Sequence, residues 1–255
     1  MNLKEMTPEE MVSRLLYRDG LMLVIDKPAG FAVHNGPKGG VSLEDHFGAL
    51  RFGLPRSPSL AHRLDRDTSG CLVLGRHRKA LAALGKRFKN GEVGKTYWAV
   101  VEGSPAADEG VVDLPLGRLD VTRGWWMKHD PNGQPAVTKW KVRGRDPSRS
   151  RAWLALEPLT GRTHQLRVHC AEMSWPILGD NIYGNAPRMA GPVLHLHARE
   201  VVVPLYKNRD PIKVTAPVPD HMREALTQCG WRDEAPEIAL ASDAPHEAAI
   251  SRSSL

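Results

Sequence analysis

Residues 136–142, AVTKWKV, accept only one kind of backbone. Thr138, Trp140 and Val142 alternate with Lys139 and Lys141. A period of two sends the two sets to opposite faces of a strand, one half-buried and one basic, whereas a helix would scatter both. Most other apolar stretches are equally short. LMLVID (21–26), FAVH (31–34), CLVLG (71–75), TYWAVVEG (96–103), WLALEPL (153–159) and LHLHAREVVV (194–203) predict strands, with NGPKGG (35–40) a loop and DPNGQ (130–134) a hairpin turn. Helical spacing occurs in RKALAALGKRFKNG (78–91), where Leu81, Leu84 and Phe88 share a face and Asn90-Gly91 supplies a stop. It recurs in THQLRVHCAEM (163–173), with Thr163 as cap and Leu166, Cys170 and Met173 inward, and in PDHMREALTQCG (219–230). Strands outnumber helices without alternating with them, which predicts an α+β fold around a mixed sheet rather than a doubly wound one.

A chain of 255 residues can bury a sizeable core. Residues 1–20 are expected to form an N-terminal extension, 21–233 the functional domain, and 234–255, poor in large apolar side chains, a disordered tail. The N-terminus MNLKEMTPEE lacks the pattern of a secretory signal, and LMLVI is far too short to cross a bilayer. A cytoplasmic protein without a membrane partner is expected. Cys71, Cys170 and Cys229 are odd in number and far apart, which disfavours both a disulfide framework and a Cys-rich zinc site. A net charge of +6 favours a polyanionic partner.

Two dense stretches carry the chemistry. In AHRLDRDTSG (61–70), Asp65 and Asp67 stand among His62, Arg63, Arg66 and, further on, Arg76. Two residues apart on an extended chain, the carboxylates would lie about 6.6 Å apart at Cα, a spacing that loosely suits a glycosidase pair. Such a pair keeps one acid protonated, and four cationic neighbours favour ionised carboxylates instead, so the residues point to a nucleophile rather than a general acid. In EPLTGRTHQLRVH (157–169), Arg162 and Arg167 flank a helix start, a pattern as compatible with surface contacts or phosphate binding as with chemistry. Two other leads are weak. VGKTYW (93–98) ends like a phosphate loop, but Lys89 replaces the first glycine and the order is helix then strand. His195 and His197 point the same way on a strand, but no further ligands converge on them, so no metal is expected.

HRLDRDTSG (62–70), KTYWAVVEG (95–103), TGRTHQLRVH (160–169) and SWPILGDNIYG (174–184), flanked by IDKPAGFAVH (25–34) and LHLHA (194–198), together resemble the RluA-type family of RNA pseudouridine synthases. The resemblance spans roughly residues 20–218, with Ser174-Trp175 standing where many relatives have Gly-His. It implies an α+β, pseudouridine synthase-like fold: a mixed, mostly antiparallel sheet flanked by helices and loops. Several members carry a separate N-terminal RNA-binding domain; with about twenty residues before the first motif here, that domain is expected to be absent. The resemblance also implies a cofactor-free isomerase, a monomer acting on structured RNA, 23S rRNA or tRNA or both. Asp65 matches the catalytic carboxylate, which either attacks the sugar or assists departure of the base. Arg167 matches the basic residue that pairs with it, and Tyr97 the aromatic that stacks on the uracil and takes a proton. Arg63, Arg66, Arg162, His164 and Leu196 are expected to contact the RNA or its base, Arg63 by filling the gap left by the flipped uridine and Leu196 as an apolar wall. Asp67 and Thr68 are expected to brace the loop. Lys79, Lys86, Arg87 and Lys89, with Lys139, Lys141 and Arg143, offer a basic face to phosphates. For RGWWMKHD (123–130) two readings stay open: Trp125 and Trp126 stack on exposed bases, or one of them fills a small core.

Overall fold

The computed structural model describes residues 6–36, 39–120 and 125–233. Helix α1 (Pro8–Ser13) starts at a capping box in which Thr7 and Glu10 satisfy each other's backbone N–H groups, and it buries Met11. Strand β1 (Leu15–Arg18) pairs antiparallel with β2 (Met22–Lys27), so residues 15–18, within the stretch expected as an N-terminal extension, lie at the edge of the sheet. A 3₁₀ helix (Leu43–Leu50) buries Leu43, Phe47 and Leu50. Then come β3 (Ser59–Leu60), the wholly buried β4 (Ser69–Gly75) and α2 (Arg78–Lys89), which closes on Lys86, Arg87 and Lys89, cations that suit the negative end of its dipole. Strands β5 (Gly94–Glu102), β6 (Glu109–Asp113), β7 (Leu116–Arg118), β8 (Met127–His129), β9 (Val137–Arg145) and β10 (Arg151–Pro158) follow, then α3 (Gln165–Glu172), β11 (Leu196–Val203), β12 (Ile212–Thr215) and α4 (Asp220–Gln228).

Among the described residues, ten strands form one sheet in the order β1-β2-β4-β11-β5-β10-β9-β6, with β12 on β11 and β3 on β4; β7 and β8 form a separate ribbon. Every pairing in the sheet is antiparallel except β4 with β11, so the mixed, mostly antiparallel sheet is observed. Alternation sorts the core. Leu23, Ile25, Leu72 and Leu74 face the 3₁₀ helix, while Met22, Val24, Cys71 and Val73 face α2. Along the sheet, Ala99, Val101, Leu154 and Leu156 pack against α3, and Trp98, Val100 and Trp153 against α4. Tyr97 touches both the cluster under the 3₁₀ helix and the cluster under α3, which places it at their seam.

Several local expectations change. FAVH is not a strand: the carbonyls of Ala32 and Val33 accept from Leu43 and Glu44 and start the 3₁₀ helix instead of joining a ladder. DPNGQ does turn the chain, but β8 pairs with β7 and β9 with β10 and β6, so it joins no hairpin. Helix α3 begins at Gln165 after His164, whose φ of 53° is left-handed, and Thr163 does not cap it. Met173 is 40% exposed rather than inward. The three cysteines are buried and unpaired. No helix among the described residues is long and apolar enough to cross a membrane, and the tail expected over 234–255 lies outside them.

Candidate active site

The loop between β3 and β4 carries Asp65 and is fixed from both sides. Leu64 buries its side chain in the core, which turns the flanking Arg63 and Asp65 the other way. Beneath the loop lies Lys27, 0% exposed, whose ammonium donates to the carbonyls of Pro28 at 2.9 Å, Arg66 at 2.8 Å and Thr68 at 2.7 Å. Burial draws Lys27 down to about 7, opposed by the charges of Asp67, Asp65 and Asp26. One residue earlier, burial pushes the Asp26 carboxyl up to about 6, only partly offset by Arg14 and Lys27. Past the loop, Ser69 shares a 2.9 Å hydrogen bond with His197. Gly70 has φ +104°, and a Cβ there would overlap the Ala198 carbonyl oxygen. Only glycine lets β4 approach β11 this closely.

Not every cation expected around Asp65 faces it. His62 Nε2 accepts from the Val73 N–H at 3.0 Å, its ring stacks on Phe88, and burial lowers it to about 4, so it stays neutral at pH 7. Arg76 turns to the carbonyls of Asp19, Arg51 and Phe52. Arg66 donates to the Gly30 carbonyl at 2.9 Å and does not line the cavity. On the basic face, Arg87 pairs with Glu92 at 2.9 Å and Lys141 with Glu109 at 3.2 Å.

The cavity, of about 620 Å³, is lined by Arg63, Asp65, Tyr97, Arg162, Arg167 and Leu196, with His164 beside them. Asp65 keeps 31% of its side chain exposed, and His164 Nε2 lies 3.9 Å from its Oδ2. Burial lowers the His164 pKa although the Asp65 charge opposes this. Its Nδ1 shares a 2.7 Å hydrogen bond with Tyr183 Oη. Burial and the charge of Asp65 both raise the Tyr97 phenol, which stays protonated at neutral pH.

Arg167 departs from expectation. Its two-pronged hydrogen bond goes to Asp180, Nε to Oδ2 at 2.8 Å and Nη2 to Oδ1 at 2.7 Å. Asp65 acts on it through space instead. Burial opposes the Arg167 charge, while the Asp180 bonds and the charges of Asp180, Asp65 and Asp67 raise its pKa. Burial likewise opposes ionisation of Asp180; the Arg167 bonds and the N–H groups of Ile182 and Tyr183 overcome it and hold Asp180 low. Sequence reasoning missed Lys27, Asp180 and Tyr183, although each lies in a stretch that carried the resemblance.

The model of the RNA pseudouridylate synthase family matches residues 21–172, more than half of the chain. This chain belongs to that family. An uncharacterized RNA pseudouridine synthase of Zymomonas mobilis is 42% identical over 228 residues, covering 87% of this chain and 99% of the relative. A ribosomal large subunit pseudouridine synthase C of Haemophilus ducreyi is 34% identical (86% of this chain, 70% of the relative), and a tRNA pseudouridine synthase C of Salmonella typhimurium 32% identical (88% and 92%). Among solved structures, human RNA pseudouridylate synthase domain containing 4 superimposes with a TM-score of 0.73 at 28% identity, covering 88% of this chain and 95% of that one. As a pseudouridine synthase the chain is an isomerase that converts uridine to pseudouridine.

Proposed function

We propose that this synthase acts on uridines of structured ribosomal or transfer RNA, as a monomer in the cytoplasm, with Asp65 as its catalytic carboxylate. The reaction breaks the bond from ribose C1′ to uracil N1 and rejoins the base through C5. One proton leaves C5 and one arrives at N1, so no redox partner enters the balance. The observation that carries the reading is the seam of the two cores, where Asp65, Tyr97, Arg167 and Leu196 line one cavity. In this reading Asp65 acts at C1′, Tyr97 and Leu196 hold the freed base, and Asp180 holds the Arg167 guanidinium in place at the cavity wall. The exposed Arg63 occupies the gap in the RNA, and Arg162 and His164 line the way in. Arg66 serves phosphate outside the cavity. The names of the Haemophilus ducreyi and Salmonella typhimurium relatives support ribosomal and transfer RNA as the substrate class.

Tritium release from [5-³H]uridine-labelled RNA tests the assignment. Asp65→Asn is expected to release none while binding the same RNA in a filter assay; full turnover by this variant would overturn it.

A further inference from the structure

The chain holds seven tryptophans, and Trp98, Trp140, Trp153, Trp175 and Trp231 are buried. Trp125 is 57% exposed. Among the described residues, the core beside its ribbon is built from Leu116, Ala136 and Val168 with Met127 and Tyr183 against them, and does not include Trp125. Its ring lies 5.3 Å from that of His164 and 5.9 Å from that of Trp126, both edge-on, so neither neighbour lies flat on the indole.

The position of Trp125 relative to the chemistry is nevertheless fixed. Tyr183 Oη accepts from the N–H of Met127, two residues after Trp125 at the start of β8, at 2.9 Å, and also bonds His164 Nδ1. The other nitrogen of His164 is the one that faces Asp65. A single connected path therefore runs from the carboxylate through the imidazole to the exposed indole. Cations border it: Arg188 lies over the Trp126 ring at 5.4 Å, and Arg162 lines the cavity.

An exposed aromatic face beside cations, next to a cavity that takes one base, matches the chemistry of a single strand, whose bases stack while its phosphates seek positive charge. We propose that Trp125 is the stacking platform for an unpaired nucleobase adjacent in sequence to the uridine that enters the cavity. The platform holds the strand in register, and so contributes to the choice of uridine, without taking part in bond making. This inference rests on the RNA substrate reading above.

The experiment uses the full chain and unmodified transcripts of 23S rRNA and tRNA labelled with [5-³H]uridine. On whichever transcript the wild type modifies, Trp125→Ala is expected to raise KM about tenfold and leave kcat within about twofold, the loss of one base–aromatic stack. Trp125→Phe restores KM to within about threefold, and Trp125→Leu, apolar but not flat, does not. An abasic ribose placed directly 5′ or 3′ of the target uridine costs the wild type a similar factor at one of the two positions and costs Trp125→Ala nothing further there. An unaltered KM in Trp125→Ala, or losses that simply multiply with the abasic substitution, overturns the inference while leaving the enzyme's substrate intact. Absence of tritium release by wild type from either transcript sinks the substrate reading and this inference with it.

Discussion

Asp26 offers a quantitative test of the ground on which the active-site loop stands. It is the next-to-last residue of β2, directly before Lys27, and burial raises its carboxyl from 3.8 to about 6. Between those two values the folded chain holds a proton that the unfolded chain has lost. Stability therefore falls as pH climbs from about 4 to about 6, and the penalty persists above that window. At 1.36 kcal/mol per unit it reaches about 3 kcal/mol at pH 8, and about 1 kcal/mol is already present at pH 4.5. These are upper figures, because Asp26 keeps part of its surface in water. Asp26→Asn preserves the shape and removes the charge, so the variant should be the more stable protein, by a margin that widens with pH. Urea unfolding followed by circular dichroism at pH 4.5 and pH 8 measures both margins. For a chain of this size, the gain at pH 8 corresponds to a rise in Tm of roughly 6–12 °C. A gain of equal size at both pH values, or a variant less stable than wild type at pH 8, would refute the argument that burial dominates over Arg14 and Lys27.

Two other substitutions probe the walls of the cavity. Asp180→Asn leaves the buried Arg167 guanidinium without its counter-charge and should cost about 3–5 kcal/mol in urea unfolding; pairing it with Arg167→Met should recover much of that loss. Gly70→Ala forces a left-handed backbone on a side chain with no room beside Ala198, and should lower stability by about 2 kcal/mol or more in the same assay.

The strands were legible because burial is written in the residues themselves. Seven consecutive uncharged residues of β4 lie between two layers, and β9 alternates as a one-sided strand must. FAVH failed because its carbonyls had a competing use, accepting from the first turn of the 3₁₀ helix that starts at Leu43. Thr163 failed because the Gln165 side chain already closes the turn, accepting from the Arg162 N–H and the Thr160 hydroxyl. The site divides along the same line. Asp65, Tyr97 and Leu196 line one cavity, Tyr97 and Leu196 from paired strands of fixed register and Asp65 from the loop between β3 and β4. Lys27 reaches carbonyls 39 and 41 residues away, and Asp180 claims a guanidinium expected for Asp65. Neither partnership leaves a trace in local spacing.

The anchoring of the loop by Lys27 has a consequence for how the reaction must begin. With Leu64 sunk in the core and three carbonyls fastened to one ammonium, the protein side of the encounter has little room to yield. Opening the substrate then becomes the business of the nucleic acid, and uridines compete by how cheaply they leave their helix. A transcript whose target nucleotide is mispaired should accordingly outcompete its perfectly paired twin in a mixed-substrate reaction.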